Sequence, residues 1–311
     1  MKALVTGGAG FIGSKVVERL IERGHEVAIL DNLSSGYREN LNSAAQFIDS
    51  DVRDPHALLR AASGCEVIFH LAASVGNRRA IENAQNDASV NVLGTLNVLE
   101  AARIAGCRKV VYSSSAAIFG EPRHLPIPDD HATQPMTPYG VSKLAAEKYA
   151  TAYAALHGVE TVCLRYFNVY GERQRFDAYG NVIPIFATRI LRNMPLIVYG
   201  DGLQTRDFVN VDDVAQANLR AAEAQGVTGA FNIGTGRSVS IKELIAVMGE
   251  VTGRDPHVVN EPPRAGDVRH SSADISGATR ELGFVPQRQL QEGLASYFEW
   301  LGAEMERTAK A

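Results

Sequence analysis

Residues 7–13 of this chain read Gly-Gly-Ala-Gly-Phe-Ile-Gly, and their flanks leave little freedom in what they can build. Lys2-Ala3-Leu4-Val5-Thr6 has the character of a short buried strand. Ser14 to Arg23 is a helical run that Gly24 ends, and Glu26-Val27-Ala28-Ile29-Leu30 is a second strand closing on Asp31. Together they predict a βαβ unit with a glycine turn at the first strand-to-helix junction. In such a unit Gly7 makes the turn, Gly10 lets the backbone approach a pyrophosphate, and Gly13 lets the helix pack closely. The helix N-terminus then offers free N–H groups and a positive dipole end to phosphates. Asp31 is placed to accept hydrogen bonds from an adenosine ribose. That favours NAD over NADP, since a 2′-phosphate would be repelled, although Arg38 lies close in sequence.

More strand–helix alternation follows. Gln46 to Ser50 leads into Asp51-Val52, Glu66 to His70 into Leu71-Ala72-Ala73, and Lys109 to Tyr112 into Ser113-Ser114-Ser115. A periodic helix is expected over Val90 to Arg103, and a strand over Glu160 to Arg165 leads into Phe167-Asn168. Strand ends of this kind are where an open α/β sheet places its ligands. Beyond Gly171 the pattern loosens into a helix near Ile183 to Arg192, strands over Leu196 to Tyr199 and Ala230 to Ile233, and a helix over Ser240 to Val251. Asp212-Asp213 reads as the N-cap of an alanine-rich helix. The expected fold is α/β, a Rossmann doubly wound parallel sheet with a second, smaller mixed α/β substrate domain. The dinucleotide domain takes residues 1–171 and about 205–230, and the second takes 172–204 and about 231–311.

The 311 residues suffice for one large or two modest domains, and 21% charged residues with a net charge of −4 suit a soluble globular chain. No dense Lys/Arg block points to nucleic acid or an anionic membrane, and no apolar run approaches bilayer length. The N-terminus lacks the pattern of a signal peptide. Cys65, Cys107 and Cys163 are scattered, with no CxxC, which suggests a reducing cytoplasm; Cys163 reads as a small buried hydrophobe. The histidines show no ligand spacing, so no metal site is assigned.

Pro138 pre-sets a helix that carries Tyr139-Gly140-Val141-Ser142-Lys143. Tyr139 and Lys143, four residues apart, share a face. An ammonium beside a phenol favours phenolate, which makes Tyr139 a candidate general base. The plainer alternative is a solvated helix face.

These motifs together resemble the extended short-chain dehydrogenases/reductases of the NAD-dependent epimerase/dehydratase family, and within it the UDP-glucose 4-epimerases most. The resemblance implies a seven-stranded Rossmann domain, with a sugar nucleotide held between it and the smaller domain. It implies Ser115, Tyr139 and Lys143 as the catalytic set. It assigns the NAD site to Gly7, Gly10, Phe11, Ile12, Gly13, Asp31, Asn32, Asp51, Val52, Leu71, Ala72, Ala73, Asn91, Ser113 and Phe167, together with Tyr139 and Lys143. It assigns the substrate to Ser115, Asn168, Asn181, Val182, Tyr199, Arg206, Arg264 and Asp267. Read from the residues alone, Asn91 could instead bridge a helix to a loop, Arg206 could pair with Asp207, and Tyr199 could be core.

The activity implied is NAD-dependent 4-epimerisation of a UDP-sugar through a transient 4-keto intermediate, in a homodimer with no nucleic-acid or membrane partner. Ser115-Ala116-Ala117-Ile118 lacks the acid that follows the catalytic hydroxyl in related dehydratases, and decarboxylase relatives carry a nearby Glu. Both activities are thereby disfavoured. Ser271 stands where some epimerases carry a Tyr that narrows the pocket, which leaves room for an N-acetyl group. The stretch Ser74 to Arg79 is longer than in the epimerases compared. The alternatives are a net nucleotide-sugar reductase or dehydrogenase, or a non-catalytic NAD binder.

Overall fold

A computed structural model describes residues 1–176, 181–263 and 268–309. In chain order its first elements are β1 (Lys2–Thr6), α1 (Phe11–Glu22), β2 (Glu26–Asp31), β3 (Gln46–Asp49), α2 (Pro55–Ala62), β4 (Val67–His70), α3 (Asn77–Glu82), α4 (Ala84–Ala88), α5 (Gly94–Ala105), β5 (Lys109–Ser115) and α6 (Pro138–His157). There follow β6 (Glu160–Tyr166), β7 (Asn168–Tyr170), α7 (Val182–Leu191), β8 (Leu196–Tyr199), β9 (Thr205–Arg206), β10 (Phe208–Asn210) and α8 (Val211–Glu223). The last are β11 (Gly229–Ile233), β12 (Val239–Ser240), α9 (Ile241–Thr252), β13 (Val258–Glu261), α10 (Ser276–Leu282) and α11 (Leu290–Ala309).

Seven strands form one sheet in the order β11-β6-β5-β4-β1-β2-β3. Every pair in it is parallel, so Thr6, Asp31, His70, Ser115, Tyr166 and Ile233 end at one edge. Strand order reverses between β1 and β4, and that switch point opens the crevice where such a sheet binds ligands. The strands read as near-continuous apolar runs because both faces are covered. Ala3, Val5, Val27, Ile29, Val67, Phe69, Val162 and Leu164 pack on the α1/α8 side. Leu4, Ala28, Leu30, Ile68, Val110, Tyr112 and Cys163 pack on the α2/α5/α6 side. Cys163 is fully buried, as its apolar surroundings imply.

The helix expected over Val90–Arg103 is part of a longer one. It runs from α4 through a π-helical turn, Ser89–Leu93, into α5. The cap of α8 is Asn210, whose side chain accepts from Asp212 N at 2.9 Å, and not Asp212-Asp213. The two aspartates occupy the first turn, where their charge suits the helix dipole. There Asp213 also accepts from the backbone N–H groups of Gln287 and Arg288.

A separate apolar cluster joins α7, β8, α9 and α11 through Phe186, Leu196, Leu244, Tyr297 and Leu301. β8 pairs with β13 and β9 with β12, outside the main sheet, while β11 carries that sheet past residue 230 to Ile233. Asp207, wholly buried, ties this region together: its carboxylate accepts from Thr235 N and Oγ1, Gly236 N and Ala273 N.

Inside the main body, Arg165 on β6 forks onto Glu147 of α6 (Nε to Oε2 3.0 Å, Nη2 to Oε1 2.6 Å), and Ser114 Oγ donates to Oε2 at 2.7 Å. Both charges are almost fully buried. The pair fastens the helix of Tyr139 and Lys143 to the sheet. Arg165→Met, which strands the Glu147 carboxylate, is expected to cost about 3–5 kcal/mol in urea unfolding. Arg165→Met combined with Glu147→Met is expected to recover most of that loss.

Candidate active site

At the β1–α1 junction Gly7 turns with φ +73°, and a Cβ on Gly13 would lie 2.1 Å from Gly7 O. Helix α1 therefore packs directly on the glycine turn. Gly10, its N-cap, has no side chain to satisfy the first N–H groups, which leaves that end of the helix available to an anion. Phe11 and Ile12 form its half-buried first turn. Leu71, Ala72 and Ala73 follow β4 beside this turn; Leu71 N donates to Thr6 O at 3.1 Å.

Asp31 is 8% exposed, and burial pushes its carboxyl up while the N–H groups of Leu33 and Ala9 hold it down. Those bonds are 2.8 Å to Oδ1 and 3.0 Å to Oδ2, which leaves each oxygen further capacity for a ribose hydroxyl. Arg38 is drawn away, lying 3.7 Å from Asp49 and over the Phe47 ring. Asn32 donates to Asp51 at 2.7 Å. Arg53, which the sequence did not single out, takes both Asp51 oxygens and holds that carboxyl down at about 2. Val52 is buried against Gly94. The glycine turn and the acidic strand end fit a dinucleotide with an unphosphorylated ribose.

Ser115 ends β5 and caps the 3₁₀ turn Ala116–Ile118, accepting from Ala117 N at 3.2 Å. Thr137 caps α6 through Gly140 N, and Pro138 fills the first helical position as expected. A Cβ on Gly140 would come 2.5 Å from Ala117 O, so the helix start can press onto that turn. This approach sets the start of the Tyr139 helix on the turn that Ser115 caps, and Ser115 holds the Tyr139 phenol down. Lys143 is 3% exposed and donates to Ser113 O at 2.7 Å, and its Nζ lies 5.0 Å and 6.0 Å from the Tyr112 and Tyr139 ring centroids. On the face they share, Lys143 is buried and Tyr139 half-buried, so it is not a freely solvated one.

The expectation that Lys143 lowers the Tyr139 pKa is overturned. Burial pushes the phenol up to about 12, against the Ser115 hydrogen bond, and burial pushes Lys143 down to about 8. Desolvation of each charged form dominates, and the ammonium points at the Ser113 carbonyl.

Asn91 bridges a helix to a loop. Its Oδ1 accepts from Ser74 N at 2.8 Å, and its Nδ2 contacts Ser74 O, Asp87 Oδ1 and Ser142 Oγ at 3.0–3.1 Å. Its amide is therefore already occupied by the protein. Phe167 is buried with Ile118, Phe119 and Ala273. Asn168 N donates to the carbonyl of Asp207, next to Arg206. Arg206 donates to Thr205 O at 2.8 Å, while the Asp207 carboxylate is taken up by the Thr235 turn. Tyr199, half-buried at the end of β8, has its carbonyl bonded by Gln204. Asn181 caps α7 and Val182 opens it, partly packed on the second core. Arg264 and Asp267 lie outside the described residues. No group of metal-ligating side chains occurs among the described residues.

A parallel sheet with a glycine turn at its switch point, and a hydroxyl, a phenol and a buried ammonium gathered at the end of β5, has the composition of a nucleotide-dependent dehydrogenase site. Comparison with known proteins narrows this class. Residues 3–234 match the NAD dependent epimerase/dehydratase family, and this chain belongs to it. It is 41% identical to a UDP-glucose 4-epimerase of Mycolicibacterium smegmatis, over 96% of this chain and 98% of that one. The structure of UDP-glucose 4-epimerase from Thermotoga maritima with UDP-glucose superposes with a TM-score of 0.95, at 41% identity, covering 98% of this chain and 100% of that one. A UDP-N-acetylglucosamine 4-epimerase from Methanobrevibacter ruminantium gives a TM-score of 0.94 at 34% identity, covering 98% and 99%.

Asp31→Ala removes the acceptor of Ala9 N and Leu33 N together with that of the ribose. It is expected to weaken NAD binding by about tenfold or more in calorimetric titration, one lost charged hydrogen bond being about 1.5–3 kcal/mol.

Proposed function

We propose that this chain is an NAD-dependent isomerase that interconverts UDP-sugars at C4. The observation that carries the reading is the seating of the Tyr139 helix on the turn capped by Ser115, with the buried Lys143 bonded to Ser113 O, in a sheet whose Gly7–Gly13 turn suits NAD. Likeness to two 4-epimerases over nearly the whole chain supports it. NAD⁺ supplies a hydride acceptor that gives back what it takes. Tyr139, once its own proton has passed to solvent and it stands as phenolate, takes the proton of the sugar 4-hydroxyl, and Ser115 hydrogen-bonds the same oxygen and relays that proton. With NAD bound, transient oxidation at C4 and return of the hydride to the opposite face of the 4-keto sugar would invert that centre, and Tyr139 would restore the proton. Arg206, with Asn168, Asn181, Val182 and Tyr199, holds the nucleotide diphosphate; Arg264 and Asp267 complete this set by family resemblance. The elements around α7, β8, α9 and α11 form the substrate-binding part, and those around the main sheet form the NAD-binding part.

An apolar stripe on α6 (Val141, Tyr149 and Leu156), together with Leu93 and Ile104 near α5, is exposed and supports a homodimer through these helices. The three cysteines are free and buried, in keeping with a reducing cytoplasm, and no helix among the described residues is long and apolar enough to cross a membrane.

The purified protein, with no cofactor added, is expected to convert UDP-glucose or UDP-N-acetylglucosamine to its 4-epimer without net NADH, followed by proton NMR and absorbance. Turnover only on addition of NAD(P)(H) would replace this reading with a net reductase. Tyr139→Phe is expected to lose about 10²-fold or more in kcat. Because Lys143 gives up its ammonium near 8 while the Tyr139 phenol lies near 12, activity is expected to rise with pH up to about 8 and to level off beyond it.

Ser271, half-buried next to Thr205, supports a pocket that admits a 2-N-acetyl group. Ser271→Tyr is expected to lower kcat/KM for UDP-N-acetylglucosamine by about tenfold or more, with UDP-glucose little changed. Equal effects on the two substrates would overturn that assignment.

A further inference from the structure

Asp87, on α4, has no part in the reaction described above, yet it is only 1% exposed. Its Oδ1 accepts from Asn91 Nδ2 at 3.0 Å, and the same amide nitrogen contacts Ser142 Oγ at 3.1 Å, near the start of α6. Its Oδ2 has no hydrogen-bond partner in the protein. A carboxylate in such a place is costly, and an amide would satisfy Asn91 as well. What an amide would lack is charge.

The charged and titratable groups around Asp87 are few. Helix α6 brings Tyr139 and Lys143. Helix α3, packed on α4, carries Arg78, Arg79 and Glu82, of which Arg78 and Glu82 pair at 3.1 Å. Behind Lys143 lie Tyr112, whose ring it faces, and His70, whose imidazole burial pushes down to about 3 and so leaves neutral. Lys143 is a buried cation whose ammonium bonds a neutral carbonyl, Ser113 O.

We propose that Asp87 is a positioning residue for the proton transfer: its buried carboxylate, fixed through Asn91 and Ser142 against the first turns of α6, is the internal counter-charge that keeps Lys143 an ammonium and poises Tyr139. Its kinetic consequence rests on the epimerase reading; its electrostatic consequence does not. Burial pushes Asp87 itself up, while Ser142 and Lys143 pull it back. Burial lowers Lys143, and Asp87 raises it again. Burial raises Tyr139, Ser115 lowers it, and Asp87 raises it further. Removing the charge therefore moves both groups to lower pKa. Lys143 loses its proton at lower pH, and Tyr139 does likewise.

The test is Asp87→Asn in the NAD-bound protein. Lys143 is followed by NMR of ¹³Cε-labelled lysine, with Lys143→Met to assign the signal. Its titration is expected about one pH unit below that of the parent, the shift an opposite charge at this range produces. With substrate, the pH at which the kcat profile levels off is expected to move acidward by about one unit, with KM nearly unchanged. Asp87→Ser, smaller and equally uncharged, reads the same titration if the Asn variant does not fold. Superimposable Lys143 titrations overturn the proposal, whether or not an epimerase substrate has been found. Loss of activity without displacement of the pH at which kcat levels off also overturns it, since that would be a purely structural role. Absence of epimerisation in the parent would instead remove the functional reading and leave the Lys143 titration as the test.

Discussion

The hydrogen bond from the Lys143 ammonium to the carbonyl of Ser113, 2.7 Å long and nearly sealed from water, is the constraint around which the rest of this protein is arranged. A buried ammonium is retained only where neighbours replace the water it gives up. Ser113 sits one strand from the sheet's switch point, so its carbonyl can meet Lys143 only if α6 lies flush against β5. Gly140 permits that approach, Thr137 and Pro138 start the helix at the required residue, and the Arg165–Glu147 fork pins its third turn to β6. These local choices concern packing, yet each is needed to keep one cation beside one phenol.

The energetics of the pair run opposite to what helical spacing alone suggests. Two side chains four residues apart on an exposed helix trade little desolvation for a little attraction, and an ammonium there stabilises a phenolate. In this interior both charged forms are disfavoured together, so the resting pair is a phenol that resists losing its proton and an ammonium that holds its proton weakly. Such a pair responds strongly to any further charge, whether from the protein or from a bound cofactor. Catalytic tuning then lies with groups that never touch the substrate.

What was legible in the sequence follows from this division. The glycine turn, Asp31 and the strand ends at His70 and Ser115 were visible because each is a local pattern that only one backbone geometry satisfies. The cap at Asn210 was misplaced onto Asp212-Asp213 because acids in a first turn and a capping side chain look alike in one dimension. The family resemblance assigns Asn91 to the NAD site, with a helix-to-loop bridge as the alternative; the partners that decide for the bridge, Ser74 and Ser142, are distant in sequence. Asp87, Arg53 and the π-helical turn at Ser89–Leu93 carried no local signal at all. Their roles exist only once α4, α5 and α6 are side by side.

The two halves of the molecule also divide the chemical work. The groups proposed for proton transfer (Ser115, Tyr139, Lys143, with Asp87 behind them) all sit on β5, α6 and α4, within the main body. The residues expected to grip the nucleotide, from Asn181 to Arg206, sit on short strands and a helix built over a separate apolar core. The junction is polar and rigid: Asp207 clamps the Thr235–Gly236 turn after β11, and Asn232 on β11 bonds both Ile127 O and the Asp129 side chain. A clamp of fixed geometry suits a reaction in which the nucleotide must stay put while its sugar turns over. It also lets the sugar pocket change, at positions such as Ser271, without disturbing a proton-transfer centre whose balance depends on the exclusion of water.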